Sequence, residues 1–537
     1  MATTADGSHD GAAAARARRL RAWLTPVNVI IVAATLLAVG LRVYYQHTQP
    51  GFLLGVNEYD DGPYFGSAVR LVHGALPYRD FVLVQPPGIA LLMSPAAGLS
   101  YLVGTAWGMV IGRIMTVLAG AAAVVLAGLL VRHRGPVAVV VTCGILAVYP
   151  DSVITAHTVL VEPWLVLFCL VGAVAVFDRD RLAGGGRRLL WGGVAFGFAG
   201  AVEAWAIVPV LVVLLLCLPV IQRAWRFAAG VAAGFLVPSL PFIAIAPTGF
   251  YHSLITAQIG SRAHTFRVGN WYRLENMVGL PPNVNWSHGV IALASLAVIA
   301  VVIGGQLYAW RAGTRPARPL DWFAMLTAVL AVGMFLWPPQ FHYHFTTFLA
   351  PFLALSVGLT LANVAAVYTE RGRDAHPRRW VVPAVTGLAA VVIAVLASFQ
   401  PNSSSTLGPV IGTVPAAVDR VIPPGSCVLT DQVSVTIAAN RFVSSAPRCP
   451  LMVDTLGTDL ALSRGLKPET GAGRVPAVRD AWLAALRHSQ YLLLTNSNWR
   501  RIPWSAELTR YMHRNFVQVA QPSRRLTIYA RTGLHAR

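Results

Sequence analysis

Charged residues are scarce in this 537-residue chain, 12% of the total, and acids are scarcer still: 22 Asp and Glu stand against 42 Lys and Arg. So little charge beside 55% hydrophobic residues and a mean hydropathy of +0.59 excludes an ordinary soluble domain, because no single core buries that much apolar surface. Cysteine is sparse as well, five in all, and no metal-ligand spacing surrounds any of them. There is no internal repeat, and no low-complexity stretch beyond the Ala/Arg-rich start, which excludes a solenoid or a fibrous array.

What is present instead is a series of apolar runs, such as Val29 to Leu41, Val117 to Val131 and Val208 to Val220. These predict an α-helical polytopic membrane protein. The expected spans are 25–45, 109–131, 136–150, 158–177, 189–202, 204–220, 227–246, 288–309, 321–337, 343–368 and 380–399, about eleven transmembrane helices on the hydropathy criterion. The net charge of +20 resides in small Arg clusters between apolar segments rather than along one amphipathic face. That pattern argues against nucleic acid and for positive-inside topology with anionic lipid headgroups. Arg16 to Arg21, Arg132/Arg134, Arg179 to Arg188, Arg223/Arg226, Arg311 to Arg318 and Arg371 to Arg379 then all face the cytoplasm. The first span reads as a retained anchor rather than a cleaved signal.

Three regions follow: a cytoplasmic segment 1–24, a membrane body 25–400 with an outer loop 46–106, and an extracytoplasmic α/β domain 401–537. The last opens with the polar linker Pro401 to Thr406. It alternates strand-like runs (Cys427 to Thr430, Tyr491 to Thr495, Leu526 to Ala530) with helix-like ones (Ala477 to His488, Ser505 to Phe516). Cys143, Cys169 and Cys217 fall in apolar spans as small hydrophobes, while Cys427 and Cys449 are the disulfide candidates on the oxidising side. In the outer loop, Tyr64 to Leu71 and Ile89 to Leu99 have the spacing of helices lying on the membrane surface.

The loop also carries Asn57-Glu58-Tyr59-Asp60-Asp61-Gly62, followed by Gln85-Pro86-Pro87-Gly88. Adjacent carboxylates beside a span are costly to keep and point to chemistry at the water–lipid boundary. Asp80, Asp151, Glu162, Glu203 and Glu275 are predicted on the same outer face, with Glu162 and Glu203 at span starts where a charge needs a partner or a wet cavity. Opposite them stand Arg262, His264, Arg267 and Arg273, and the turn Gln340-Phe341-His342-Tyr343-His344. Arg and His at headgroup depth can hold a phosphate. No third ligand accompanies His342 and His344, so no metal is indicated there. A base to deprotonate a hydroxyl and cations to receive a departing phosphate are the requirements of glycosyl transfer from a lipid phosphate.

Asp60-Asp61-Gly62-Pro63-Tyr64, Leu76-Pro77-Tyr78-Arg79-Asp80 and Gln85-Pro86-Pro87-Gly88 together resemble the first outer loop of GT-C glycosyltransferases, in the branch of protein O-mannosyltransferases and lipid A aminoarabinose transferases. Thr158 to Leu165 is similar to that family's second acidic motif, Phe341 to His344 with Pro351 to a late-span signature, and Ile422 to Ser426 to the entry of its outer domain. The resemblance implies that one of Asp60 and Asp61 is the catalytic base, Asp60 first because it leads, with Glu162 supporting the base or the acceptor. It also implies that Tyr64 and Gln85 lie in the substrate site. Glu203 is a departure, because relatives often carry Lys there to face the lipid phosphate. The phosphate contact is therefore expected from Arg262, Arg267, Arg273, His342 or His344.

The implied donor is a polyprenyl-phosphate sugar, transferred with inversion, without nucleotide or obligatory metal, to a glycan, lipoglycan or protein. The implied location is the plasma membrane, with the N-terminus cytoplasmic and the tail outside. A composition rich in Ala, Arg, Gly and Val fits a GC-rich source and favours mannose, then arabinofuranose. A lipid-linked sugar transporter would place charges near the middle of several spans and repeat features in two halves, whereas these charges gather at one face. A non-catalytic scaffold would bind glycan through Trp482, Trp499 or Trp504 of the tail.

Overall fold

A computed structural model describes residues 25–56, 58–281, 284–313, 316–371, 380–399, 415–495 and 501–534. The segment 1–24, Asn57, most of the Arg371 to Arg379 cluster, the linker Pro401 to Thr406 and Trp499 lie outside the described residues.

Each expected span coincides with a helix. In the body these are α1 (Pro26–Thr48), α3 (Gly88–Val131), α4 (Pro136–Val148), α5 (Glu162–Val176), α6 (Gly186–Val202), α7 (Ile207–Cys217), α8 (Ile221–Ile245), α10 (His288–Ile299), α11 (Pro319–Leu336), α12 (Thr346–Arg371) and α13 (Val381–Ser398). Thr25 caps α1, its side chain accepting from the Asn28 amide, with Pro26 in the first turn. Seven described helices are long and apolar enough to cross a membrane, and α4, α5 and the stretch Ala204–Cys217 are shorter apolar ones.

Two expectations for the outer loop change. The run Ile89 to Leu99 is not a separate surface helix but the start of α3, whose 44 residues continue through one break at Gly104 (φ 83°, ψ 161°). The other loop helix, α2 (Asp61–Val72), does not lie on the membrane surface either. Asp61 through Arg70 are all buried, packed between α3 and the tail helix α14 (Val433–Ala438). Amphipathic spacing asks only for an apolar neighbour, and here protein supplies it rather than lipid. Gly62 permits the approach: a Cβ there would stand 2.4 Å from the Ser434 backbone nitrogen.

α6 and α8 pack closely through two small-residue motifs, Gly193/Gly197 against Gly230/Gly234. A Cβ at any of the four would meet facing backbone oxygen at 2.1–2.3 Å. Without a hydrophobic drive between helices in lipid, such close backbone contact is what holds a pair together.

At the opposite end of the bundle from the outer loop, charges are tightly paired. A short hairpin, β1 (Phe177–Asp178) and β2 (Arg181–Leu182), projects Asp180 toward His133, Arg134 and Arg318 at 2.5–2.7 Å, and Arg134 reaches Asp321 at 3.1 Å. Three inter-helix segments that the Arg pattern assigned to one face are thus in contact.

The tail carries a four-stranded sheet of β3 (Val428–Thr430), β4 (Tyr491–Thr495), β5 (Phe516–Ser523) and β6 (Leu526–Arg531) in the order β3-β4-β6-β5. β3 pairs parallel with β4, and the other pairs are antiparallel. α16 (Pro476–His488) and α17 (Ala506–Asn515) cover it, after α15 (Thr455–Leu462). Cys427 and Cys449 form a disulfide. Trp482 is fully buried and donates its indole N–H to Asp459 at 2.7 Å, and Trp504 is partly buried against the same core, so Trp482 presents no glycan-binding face. β5 is absent from the sequence expectation because Phe516 to Ser523 shows only a broken alternation, consistent with two register shifts in its pairing.

Candidate active site

The acidic pair divides at the first turn of α2. Asp61 turns inward. Its Oδ2 accepts from Arg113 Nη2 at 2.6 Å and Thr158 Oγ1 at 2.5 Å, and the whole residue is buried. Burial raises its pKa, while Arg113 and Thr158 oppose the rise. Arg113 also reaches the Leu53 carbonyl, so the pair pins the loop to α3.

Asp60 occupies the helix N-cap position yet makes no capping bond with its side chain, which keeps 34% of its surface exposed. Its nearest cation is His344, with Nε2 at 3.9 Å from Oδ2. Burial of the surroundings pushes Asp60 up to about 7; Glu58 and Asp454 add to the rise, and His344 and Arg501 counter it.

His344 sits between two carboxylates. Its Nδ1 lies 2.6 Å from Oε1 of Glu162, the first residue of α5, and both side chains are buried. Glu162 Oε2 is buried without a hydrogen-bond partner among the described residues. A cavity of about 1020 Å³ adjoins this group, its polar lining drawn from Tyr64, Gln85, Glu162, Glu203, Arg262 and His344. The rest of its wall is apolar, formed by α6, α7, α8 and α11 through residues such as Phe196, Val210, Val231 and Phe335. Ile207, Leu236 and Ile259 on the lining are exposed, so the cavity is open between the helices.

The expected cations separate. Arg262, exposed on α9 (Ala257–Ala263), faces the cavity and makes no hydrogen bond or ion pair among the described residues. Arg273 does not serve the cavity: it is fully buried and donates to the carbonyls of Val268, Phe335 and Pro339. Arg267 likewise donates to Leu336 and Trp337. Both satisfy carbonyls at the end of α11, which a helix C-terminus leaves without intrahelical donors. His342 is exposed outside the cavity wall, its ring stacked on His344 with centroids 5.4 Å apart.

The tail builds part of this site. Gln432 Nε2 and Ser434 Oγ donate to the Glu58 carbonyl at 3.3 and 3.2 Å. The Tyr59 hydroxyl meets Asp454 and Thr455 and accepts from the Leu456 amide, and the Arg501 guanidinium stacks 3.5 Å over the Tyr59 ring. These tail partners escaped the sequence reading because nothing local marks residues almost 400 positions away. Arg113 also went unread, although a lone arginine within an apolar span asks for a partner.

No family model matches the sequence, and no curated protein matches it. Solved structures do match in three dimensions. ArnT from Cupriavidus metallidurans, bound to undecaprenyl phosphate, aligns with a TM-score of 0.57 at 16% identity, covering 94% of this chain and 98% of that one. The Archaeoglobus fulgidus oligosaccharyltransferase AglB, in complex with an inhibitory peptide and a dolichol-phosphate, aligns with a TM-score of 0.51 at 14% identity over 94% and 74%. The fold is GT-C. A GT-C body of several membrane helices with a small C-terminal sheet domain accounts for both the spans and the tail described above.

Proposed function

We propose that this chain is a membrane glycosyltransferase that moves a sugar from a polyprenyl-phosphate donor to an extracytoplasmic acceptor, with Asp60 as general base. The observation that carries the reading is the cavity. Its largely apolar lining suits a polyprenyl chain, and Glu162, Glu203 and Arg262, which has no partner among the described residues, line the same cavity. Solved relatives in fold hold undecaprenyl phosphate and dolichol-phosphate, which supports the same ligand class here.

In the proposed reaction the acceptor oxygen attacks the anomeric carbon as its proton passes to Asp60. The carbon–oxygen bond to the phosphate breaks with inversion, and the polyprenyl phosphate departs against Arg262. Asp61 is a structural partner, because it is fully buried and its Oδ2 is taken by Arg113 and Thr158. The reading needs neither nucleotide nor obligatory metal. Mannose is the favoured sugar and arabinofuranose the next, with a lipoglycan, cell-wall glycan or protein as acceptor on the outer face of the plasma membrane.

The test is a donor panel: purified protein with mannose, arabinose and glucose on the same synthetic polyprenyl phosphate, and an alkyl mannoside as acceptor. Transfer from one donor, lost in Asp60→Asn, is expected. Full activity in Asp60→Asn would overturn the assignment, and donor movement across vesicles without transfer would make the protein a transporter.

A further inference from the structure

His344 lies in the cavity wall, where a phosphate ligand would be expected, yet its geometry is committed elsewhere. A carboxylate can only accept, so with Glu162 ionised the 2.6 Å contact uses the Nδ1–H and fixes the ring. Fixing one nitrogen orients the other, and Nε2 then stands 3.9 Å from the Asp60 carboxylate. At that spacing one oxygen, a water or an acceptor hydroxyl, can touch both groups at hydrogen-bond distance. Glu162 itself is anchored at the first turn of α5, and the ring is held by edge contacts with Tyr343 and Phe345.

We infer that His344, oriented by Glu162, is a positioning residue for Asp60, setting both the direction and the ionisation of the base rather than binding the donor phosphate. This rests on Asp60 being the base. The groups around Asp60 come from every neighbouring element. Glu58, held by the Tyr343 hydroxyl, precedes it on the loop. Asp454 and Arg501 reach it from the tail, Tyr64 lies one turn along α2, and Glu162 stands behind His344. The acids oppose ionisation. Arg501 and a protonated His344 favour it, and only His344 is tied to a residue of the cavity wall.

The experiment compares wild type, His344→Gln, Glu162→Gln and Asp60→Asn in detergent, with thermal unfolding as a fold control. Transfer is followed from pH 5.5 to 9.5, and undecaprenyl phosphate affinity is measured in parallel. His344→Gln removes one unit charge near Asp60, so its acid limb is expected to move up by about one pH unit or more. Activity should fall roughly fivefold or more near pH 7 and recover toward wild type by pH 9, with lipid-phosphate affinity unchanged. Glu162→Gln should shift the limb in the same direction by less. A His344→Gln variant that binds undecaprenyl phosphate about tenfold more weakly, or loses the same fraction of activity at every pH, overturns the inference and makes His344 a phosphate ligand or a framework residue. Asp60→Asn is expected to be inactive throughout. If Asp60→Asn is active, the base assignment fails instead, which is a separate outcome.

Discussion

The two ends of the helical body use the same residue types to opposite effect. At one end His133, Arg134 and Arg318 close on Asp180, and Arg134 bridges on to Asp321, every contact at 3.1 Å or less. At the other, Asp60 stands 3.9 Å from its nearest cation and Arg262 has no partner among the described residues. Completed ion pairs fix helices relative to one another. Charges left open beside a cavity are available to something that binds there. The contrast recurs within two adjacent residues, because Asp61 is closed by Arg113 and Asp60 is not.

Breaking the open side should have the largest effect on rate. Asp60→Asn is expected to lower transfer by about 10³-fold, within the usual range for a general base, while leaving the thermal midpoint unchanged. Asp61→Asn should do the reverse in kind. It leaves Arg113 buried without its carboxylate, so the loss should appear as a lower unfolding midpoint accompanied by lower activity.

On the closed side, Asp180→Asn should cost roughly 3 kcal/mol of stability with little change in rate per folded molecule, read from unfolding and turnover on the same sample. Against the upward push of burial, His133, Arg134 and Arg318 hold Asp180 below the usual carboxylate range. Its contribution is therefore present above the unfolded carboxylate pKa and is lost as pH falls through the lower folded value. Asp60 responds oppositely. Raised to about 7, it ionises only as pH climbs through neutrality, so the transfer rate should fall below that point while the fold persists.

The smallest effect is expected at Arg262. Replacing it with Gln removes a charge that no group among the described residues holds, so stability should not change and the KM for donor should rise about tenfold, the worth of one charge-assisted hydrogen bond. Arg273→Gln sharpens the point, because the same replacement there should reduce stability instead: three carbonyls lose their donor.

Much of this contrast was foreshadowed in the chain. Hydropathy marked the eleven apolar spans of the body, Arg clusters assigned the inter-helix segments to faces, and Asp60 and Glu162 were singled out before the fold brought both beside His344. The roles of Arg267 and Arg273 were not legible, since an arginine in an outer loop looks the same whether it faces a ligand or closes a helix end. Nor was the covering of α2 by the tail, because an amphipathic stripe does not say whether lipid or protein will meet it. The motif Gly193/Gly197 against Gly230/Gly234 was readable as a small-residue repeat, but only the packed pair shows which glycines face each other.

By itself, the sequence determined that this chain has many membrane helices, that Asp60, Glu162 and Glu203 fall away from the Arg clusters, and that a small sheet domain follows them. Those properties depend on composition and spacing along the chain, which water and lipid read directly. Only the tertiary structure decided which carboxylate is closed and which is left open, which arginine is free, and that the tail grips the loop beside Asp60. Each of those depends on a partner distant in sequence, and the energy of a buried charge is set by what stands within a few ångströms of it.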